Sequence, residues 1–193
     1  MARLGIVKVR GEHEVNAYLV SCATTREAVV IDPVVPAEKL LGQLNGLRVR
    51  WVLATHGHPG HVAGKDALKD VTGATTAMHV ADAKAFLRSA DRYLVEDDEL
   101  EFGQFTVRVL HTPGHTPGSL SFVIGNHLFT GDTMLAGGIG RERPGTDVRL
   151  QLVSIGTKIA RLPPSTAIYP GHGAVTNLEN EMRTSPLFQP ARR

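Results

Sequence analysis

The stretch Thr55-His56-Gly57-His58-Pro59-Gly60-His61 decides how the rest of this 193-residue chain is read. It follows residues 49–54 (VRWVLA), an apolar run of strand length. Three histidines at i, i+2 and i+5 therefore stand where a strand ends and a loop begins. Side chains alternate along extended backbone, so His56 and His58 point the same way if that geometry persists. Gly57, Pro59 and Gly60 permit a tight path that brings His61 round to the same place. Neutral imidazole is the commonest protein ligand for zinc and also suits iron, copper and nickel. A polar loop that merely holds histidines is the bland alternative. For a single histidine it usually wins; for three at this spacing it is the weaker account.

Three more strand ends repeat the pattern. Residues 105–110 lead into His111-Thr112-Pro113-Gly114-His115-Thr116-Pro117-Gly118. Residues 126–130 lead to Gly131-Asp132-Thr133, and 167–169 to Pro170-Gly171-His172-Gly173. Each delivers a ligand-type residue into a Gly/Pro-rich loop, and loops on a rigid scaffold are where such groups are presented.

These residues resemble the metallo-β-lactamase-fold hydrolases. That pattern is H-x-H-x-D-H, then a downstream His, an Asp in a G-D motif and a last His. His56, His58, His61, His115, Asp132 and His172 match it in order, and the similarity runs from Ile31-Asp32-Pro33 to His172. The segments Gly114-His115-Thr116-Pro117-Gly118-Ser119, Phe129-Thr130-Gly131-Asp132-Thr133, Gly138-Ile139-Gly140-Arg141 and Tyr169-Pro170-Gly171-His172 look most like the short glyoxalase II-like (hydroxyacylglutathione hydrolase-like) branch. The resemblance implies an α/β fold: an αββα sandwich of two mixed sheets packed face to face, helices outside, in a single domain over 1–193. It also implies that His56, His58 and His115 bind a first metal, that His61 and His172 bind a second, and that Asp132 bridges them and is the catalytic carboxylate beside a metal-bound water.

One position departs from the pattern. Gly60 stands where the motif has Asp, and glycine offers no ligand atom. Three histidines and a water make a complete catalytic zinc set. The expectation is a filled first site and a weak or empty second, with one or two ions per chain. Zinc is the expected ion. The alternative is one iron held by His56, His115 and Asp132, a two-His-one-carboxylate set with open positions, as in the persulfide dioxygenases of this fold. Zinc on three histidines lowers the pKa of its water to about 7, which suits attack on thioesters, lactones and other acyl compounds. The expected function is hydrolysis of a small-molecule thioester or related thiol conjugate. The alternatives are iron-dependent persulfide oxidation, a lactonase or esterase, and a metal-binding domain with altered catalysis. Glutathione itself is not carried over, because longer glyoxalase II enzymes grip it with a helical domain beyond the last histidine.

Composition narrows the classes. Of the residues, 42% are hydrophobic and 21% charged, which is ordinary for a globular protein. A net charge of +2 gives no electrostatic case for nucleic acid. No apolar run is long enough to span a bilayer, and Met1 to Lys8 lacks the apolar core of a signal peptide, so a cytoplasmic protein is the expectation. Cys22 has no internal disulfide partner and reads as a small core residue.

Apolar alternation predicts strands over 6–9, 15–21, 28–31, 75–79 and 105–110, and a hairpin of 119–124 with 127–130 through Gly125-Asn126. Helical spacing predicts helices over 36–44, 64–71, 81–89 and 150–162, the last capped by Asp147. In this fold the helix starting at 64 lies beside the metal, where its dipole favours an anion. Asp32 has three readings: a helix cap, a hydrogen-bond partner of a metal ligand, or a solvated turn residue, the last being favoured. His79 and His127 are read as non-ligands, and His111 as a non-ligand close to the site. Arg141, in the glycine-rich loop 134–144, either braces that loop or meets an anionic substrate. The acidic segment 93–100 reads as a solvated turn, and the tail 184–193 as loosely held.

Overall fold

Strands β2 (Asn16–Cys22) and β3 (Glu27–Ile31), and the last three residues of β4 (Arg48–Leu53), are largely apolar on both faces, the signature of strands covered on both sides. A computed structural model describes residues 3–34 and 36–189 and places these strands at the centre of a six-stranded sheet. Its order is sequential: β1 (Leu4–Arg10), β2, β3, β4, β5 (Thr75–Met78) and β6 (Arg92–Tyr93). The first three run antiparallel and the rest parallel. A second sheet of six has the order β12 (Thr176–Asn177), β11 (Ala167–Pro170), β10 (His127–Gly131), β9 (Leu120–Ile124), β8 (Phe105–His111) and β7 (Glu99–Phe102). It is mixed as well, with β10 and β11 parallel and the other pairs antiparallel.

Period-2 alternation sorts the side chains into layers. Tyr18, Val20, Val29, Ile31 and Leu53 of the first sheet face Phe102, Val107, Val109, Phe122 and Phe129 of the second, all buried in one cluster. The other faces of β2 and β3 (Ala17, Leu19, Ala28, Val30) pack on Leu40 of α1 (Glu38–Leu41) and Leu68 of α3 (Lys65–Thr72). On the far side, Leu110, Leu128 and Ile168 pack on Ile155 of α5 (Val148–Thr157) and Leu178 of α6 (Leu178–Thr184). The result is the expected αββα sandwich. No helix among the described residues is long and apolar enough to cross a membrane.

Element types follow the sequence and several boundaries do not. The helix read over 36–44 is regular only at Glu38–Leu41; beyond it Gln43 and Leu44 make i→i+3 bonds to Leu40 and Leu41, a tighter turn that needs no cap. The helix read over 81–89 is α4 (Val80–Ala85), which leaves helical geometry at Phe86 and turns left-handed at Leu87 (φ 50°). The helix read over 150–162 is α5; its regular part starts two residues earlier, with the Asp147 carboxylate accepting from the Leu150 N–H at 3.0 Å, and breaks at Lys158 into a 3₁₀ turn over Ile159–Arg161. The ends of the acidic segment 93–100 are strand residues of β6 and β7. In the tail, Leu187 and Phe188 pack against the α5–α6 cluster, so this part is held; residues 190–193 lie outside those described.

Candidate metal centre

Four strand ends supply the site, and all are C-terminal ends: β4, β8, β10 and β11. After β4 the chain runs His56-Gly57-His58 and then folds into a one-turn helix, α2 (Pro59–Val62), with Pro59 in its first turn and His61 on its inner side. The helix expected to start at 64 beside the metal is α3, with Gly64 at its N-cap giving its N–H to the Pro33 carbonyl at 2.8 Å; the separate one-turn α2, which carries His61, rather than α3, abuts the histidines. The neighbouring strand end braces the loop of His172: Asn16 donates through Nδ2 to the carbonyls of Pro170 (2.9 Å) and Gly173 (3.1 Å), Tyr18 Oη donates to Pro170 (2.6 Å), and Val15 bridges to His172.

The six residues predicted as ligands converge. His56, His58 and His115 offer nitrogens within 4.8 Å of one another, and so do His56 and His61 with a carboxylate oxygen of Asp132. His115 Nε2 lies 3.1 Å from His58 Nδ1 and 3.6 Å from Asp132 Oδ2. His61 Nε2 lies 3.8 Å from Asp132 Oδ2, and His172 Nδ1 lies 2.7 Å from Asp132 Oδ1. His172 belongs to neither tight group, and Gly60 adds no donor.

Three buried ring nitrogens, His56 Nε2, His61 Nε2 and His115 Nδ1, have no hydrogen-bond partner. Burying such atoms unsatisfied costs about 1–3 kcal/mol each, and a cation at the cluster relieves the cost for those that face it. A donor set of four imidazoles and a carboxylate suits zinc or iron. The residues present fit a metal ion.

Electrostatics divide the histidines. Burial, reinforced by the neighbouring rings of His61 and His115, holds the His56 imidazolium far below the ordinary histidine range. Burial pushes His115 down to about 4, with the Asp132 carboxylate opposing. His58 is lowered by burial and then by the Arg143 guanidinium. His61 is the exception: burial alone would lower it, but the Asp32 carboxylate, 2.8 Å from Nδ1, outweighs that and raises it. Asp132 is buried, which would raise it, yet the His172 hydrogen bond and the surrounding imidazoles hold its carboxyl low and therefore ionised.

Asp32 corrects a sequence reading. It is no solvated turn residue: it is 1% exposed, and its carboxylate accepts from the Thr55 N–H (2.7 Å), the Thr55 hydroxyl (2.8 Å) and the His61 ring. This contact fixes the proton on His61 Nδ1 and leaves Nε2 free to ligate, the usual arrangement around metal-bound histidine. Its backbone is left-handed (φ 53°), a conformation Asp tolerates better than most residues. An acid directly after a buried strand was the available signal.

Other contacts carried no such signal. Gln151 of α5 donates through Nε2 to the carbonyls of Asp132 (3.0 Å) and Thr133 (2.9 Å). Gly114, at φ +139°, lies so close to α5 that a Cβ would come within 2.3 Å of the Gln151 backbone. His79, His111 and His127 stay out of the cluster. His79 caps α4 by accepting from Ala81, His111 stacks on His79 and reaches the Pro117 carbonyl, and His127 pairs with the Tyr169 hydroxyl. Over the cluster opens a cavity of about 660 Å³ with Arg141, Arg143, His13 and Glu14 on its walls.

Comparisons with known proteins agree with this geometry. The chain is 35% identical over 171 residues to a hydroxyacylglutathione hydrolase of Anaeromyxobacter dehalogenans, covering 88% of this chain and 66% of that one. It is 33% identical over 179 residues to the mitochondrial persulfide dioxygenase ETHE1 of Homo sapiens, covering 88% of this chain and 69% of the relative. Among solved structures, TTHA1623 in a di-iron-bound form aligns with a TM-score of 0.79 and 34% identity over 94% of this chain and 98% of that one. The family profile described as the metallo-beta-lactamase superfamily matches residues 10–172, a span that takes in all six clustered ligand-type residues. With this match, the two mixed sheets and the ring of histidines at their strand ends, the chain belongs to the metallo-beta-lactamase superfamily.

Proposed function

We propose that the protein is a metal-dependent hydrolase of a small thioester or related acyl compound, working with one well-filled metal position. The observation that carries this reading is the trio His56, His58 and His115, whose nitrogens lie within 4.8 Å of one another and in which His56 buries a ring nitrogen that has no partner. The likeness to the hydroxyacylglutathione hydrolase supports the substrate class. A zinc ion held there would supply an acidified water and a Lewis acid for the acyl oxygen. The chain's own residues do the rest. Asp132, kept ionised, accepts a proton of the attacking water at Oδ2 while Oδ1 stays engaged by His172. The cavity holds the acyl group over this carboxylate, with Arg141 on its wall as a cationic contact for an anionic substituent. The second position stays weak, because Gly60 contributes no atom and His172 stands outside both tight donor groups.

A second reading has its own support. Asp132 Oδ2 lies 3.6 Å from His115 Nε2, and His56 shares a group of donors within 4.8 Å with each of them, so His56, His115 and Asp132 could serve as a two-His-one-carboxylate set. The human relative is a persulfide dioxygenase. Elemental analysis of the purified protein, followed by a panel of thioesters, lactones and persulfides, separates the two. About one zinc per chain with thioester turnover is the expected result. One iron with oxygen uptake on a persulfide moves the assignment to the dioxygenase, and lactone turnover alone moves it to a lactonase. Absence of any metal after reconstitution sinks the metalloenzyme reading.

A further inference from the structure

Helix α4 stands where the two loops of the His56/His58/His115 trio meet, and its Asp82 has no part in the chemistry above. The residue is fully buried. Its Oδ2 accepts from the Gly57 N–H at 2.7 Å and from the Thr116 hydroxyl at 2.7 Å; its Oδ1 accepts from the Gly118 N–H at 2.6 Å. Gly57 lies between His56 and His58, and Thr116 follows His115 directly. One carboxylate thus joins the backbone of the first histidine loop to that of the second. Thr116 is pinned further by Ser119, whose hydroxyl lies 2.7 Å from its own and accepts from its N–H at 3.0 Å.

The packing leaves no slack. A Cβ on Gly118 would approach Asp82 Oδ1 to 2.6 Å, and one on Gly57 would approach Phe86 Cδ2 to 2.3 Å. Phe86, at the end of α4, also meets the His58 ring edge to face at a centroid distance of 5.0 Å. Two residues of one short element therefore touch both loops. Hydrogen bonds from N–H or O–H groups to a carboxylate are shorter and roughly twice as strong as neutral ones, and a buried carboxylate requires such partners. The arrangement is stiff, and the loops it joins carry His56, His58 and His115, whose nitrogens lie within 4.8 Å of one another.

We propose that Asp82 is a positioning residue for the first metal position: by fixing the His56–His58 loop against the His115 loop, it sets the affinity and ligand geometry of the ion held there. This rests on reading the trio as a metal site and on no assumption about substrate. A carboxamide of the same size has one acceptor oxygen, so Asp82→Asn must turn its NH₂ toward either Gly118 or the Gly57–Thr116 pair and lose that contact.

The test is a cobalt(II) titration of the metal-free, full-length protein, read by calorimetry and by the visible absorption of bound cobalt. Asp82→Asn is expected to raise Kd about 10- to 100-fold, the range for residues that hold ligands in place, and to shift the absorption envelope. A role confined to folding would lower the thermal midpoint of the metal-free protein and leave cobalt affinity and spectrum as in the wild type; that result overturns the proposal. If Asp82→Asn does not fold, Thr116→Val removes only the hydroxyl contact. Its expected effect is an increase in Kd of about threefold, below the range for a whole group, with a spectral shift; no change in either overturns the proposal. Wild-type protein that binds no cobalt overturns the metal reading underneath, an outcome distinct from equal binding by wild type and variant.

Discussion

The two halves of the metal centre are built to different standards. His56, His58 and His115 stand on two loops clamped together from below by Asp82 and Phe86, and Leu120 adds a 2.7 Å bond to the Thr55 carbonyl. On the other side, His61 is well anchored by Asp32, but His172 is 32% exposed at its side chain and turned onto Asp132, and Gly60 leaves a gap where a donor would stand. The lesson is that anchoring and donor count are separate properties. The second position has an oriented histidine and lacks atoms; the first has both.

The largest expected effect breaks the first half. His115→Ala removes a nitrogen that lies 3.1 Å from His58 and opens the centre of the trio. Turnover should fall more than about a hundredfold, beyond the range for residues that merely support ligands, with metal content dropping in parallel by elemental analysis. Retained metal and turnover would mean the chemistry runs from the His61 side.

Next in size is a repair of the second half. Gly60 has an ordinary backbone conformation, so an L-residue meets no torsional penalty, and an added Cβ meets only Val15 Cγ2, at 3.0 Å. Gly60→Asp should move stoichiometry from about one ion toward two per chain, since a carboxylate supplies the missing donor. A folded variant that still holds one ion would identify Val15, buried and stiff at χ1, as what closes the position.

How much of this contrast was legible in the chain follows from the same physics. The strands over residues 28–31 and 105–110 and all six ligand-type residues could be read because apolar runs ending in Gly/Pro loops are local signals. Gly60 was legible as a gap only through the resemblance, whose motif has Asp at that position. Asp82 was not: it sits inside a helical run whose spacing says nothing of the carboxylate's partners, which arrive from Gly57 and Gly118. Asp32 was half legible, as an acid after a buried strand, yet Asp-Pro reads as a turn until the Thr55 and His61 contacts are seen. Helix ends failed where the chain tightened into i→i+3 turns at Leu44 and Ile159, which keep the apolar spacing while ending the regular helix.

Proton release sharpens the comparison next. His115, pushed to about 4, and His56, also held well below the ordinary histidine range, are neutral at pH 7, so loading the trio displaces few protons. His61 is raised by Asp32, so near neutrality it holds a proton in a larger share of molecules, and an ion taken at Nε2 must expel it. Affinity at the second position should therefore fall as pH drops through the neutral range, while the first holds on to lower pH. Calorimetry of Gly60→Asp in buffers of different ionisation enthalpy should assign up to about one released proton to the second ion and close to none to the first. Equal release from both would mean that Asp32 does not bias His61.

The smallest effect concerns the wall above both positions. Arg141 and Arg143 face the cavity, and the charge of Arg143 is felt at His58. If Arg141 meets an anionic substrate, Arg141→Ala should raise KM severalfold with kcat nearly unchanged, because a contact equally strong in the ground and transition states moves only binding. If it braces the loop, the loss should appear in kcat instead. That loop is bonded to the centre from within, by the Gly140 N–H to the Asp132 carbonyl at 2.9 Å, and just past its end, by the Thr146 hydroxyl to the His115 carbonyl at 3.2 Å, so disordering it would disturb the ligands. Unchanged kcat and KM together would remove Arg141 from both roles and leave Arg143 as the cation that tunes the first position.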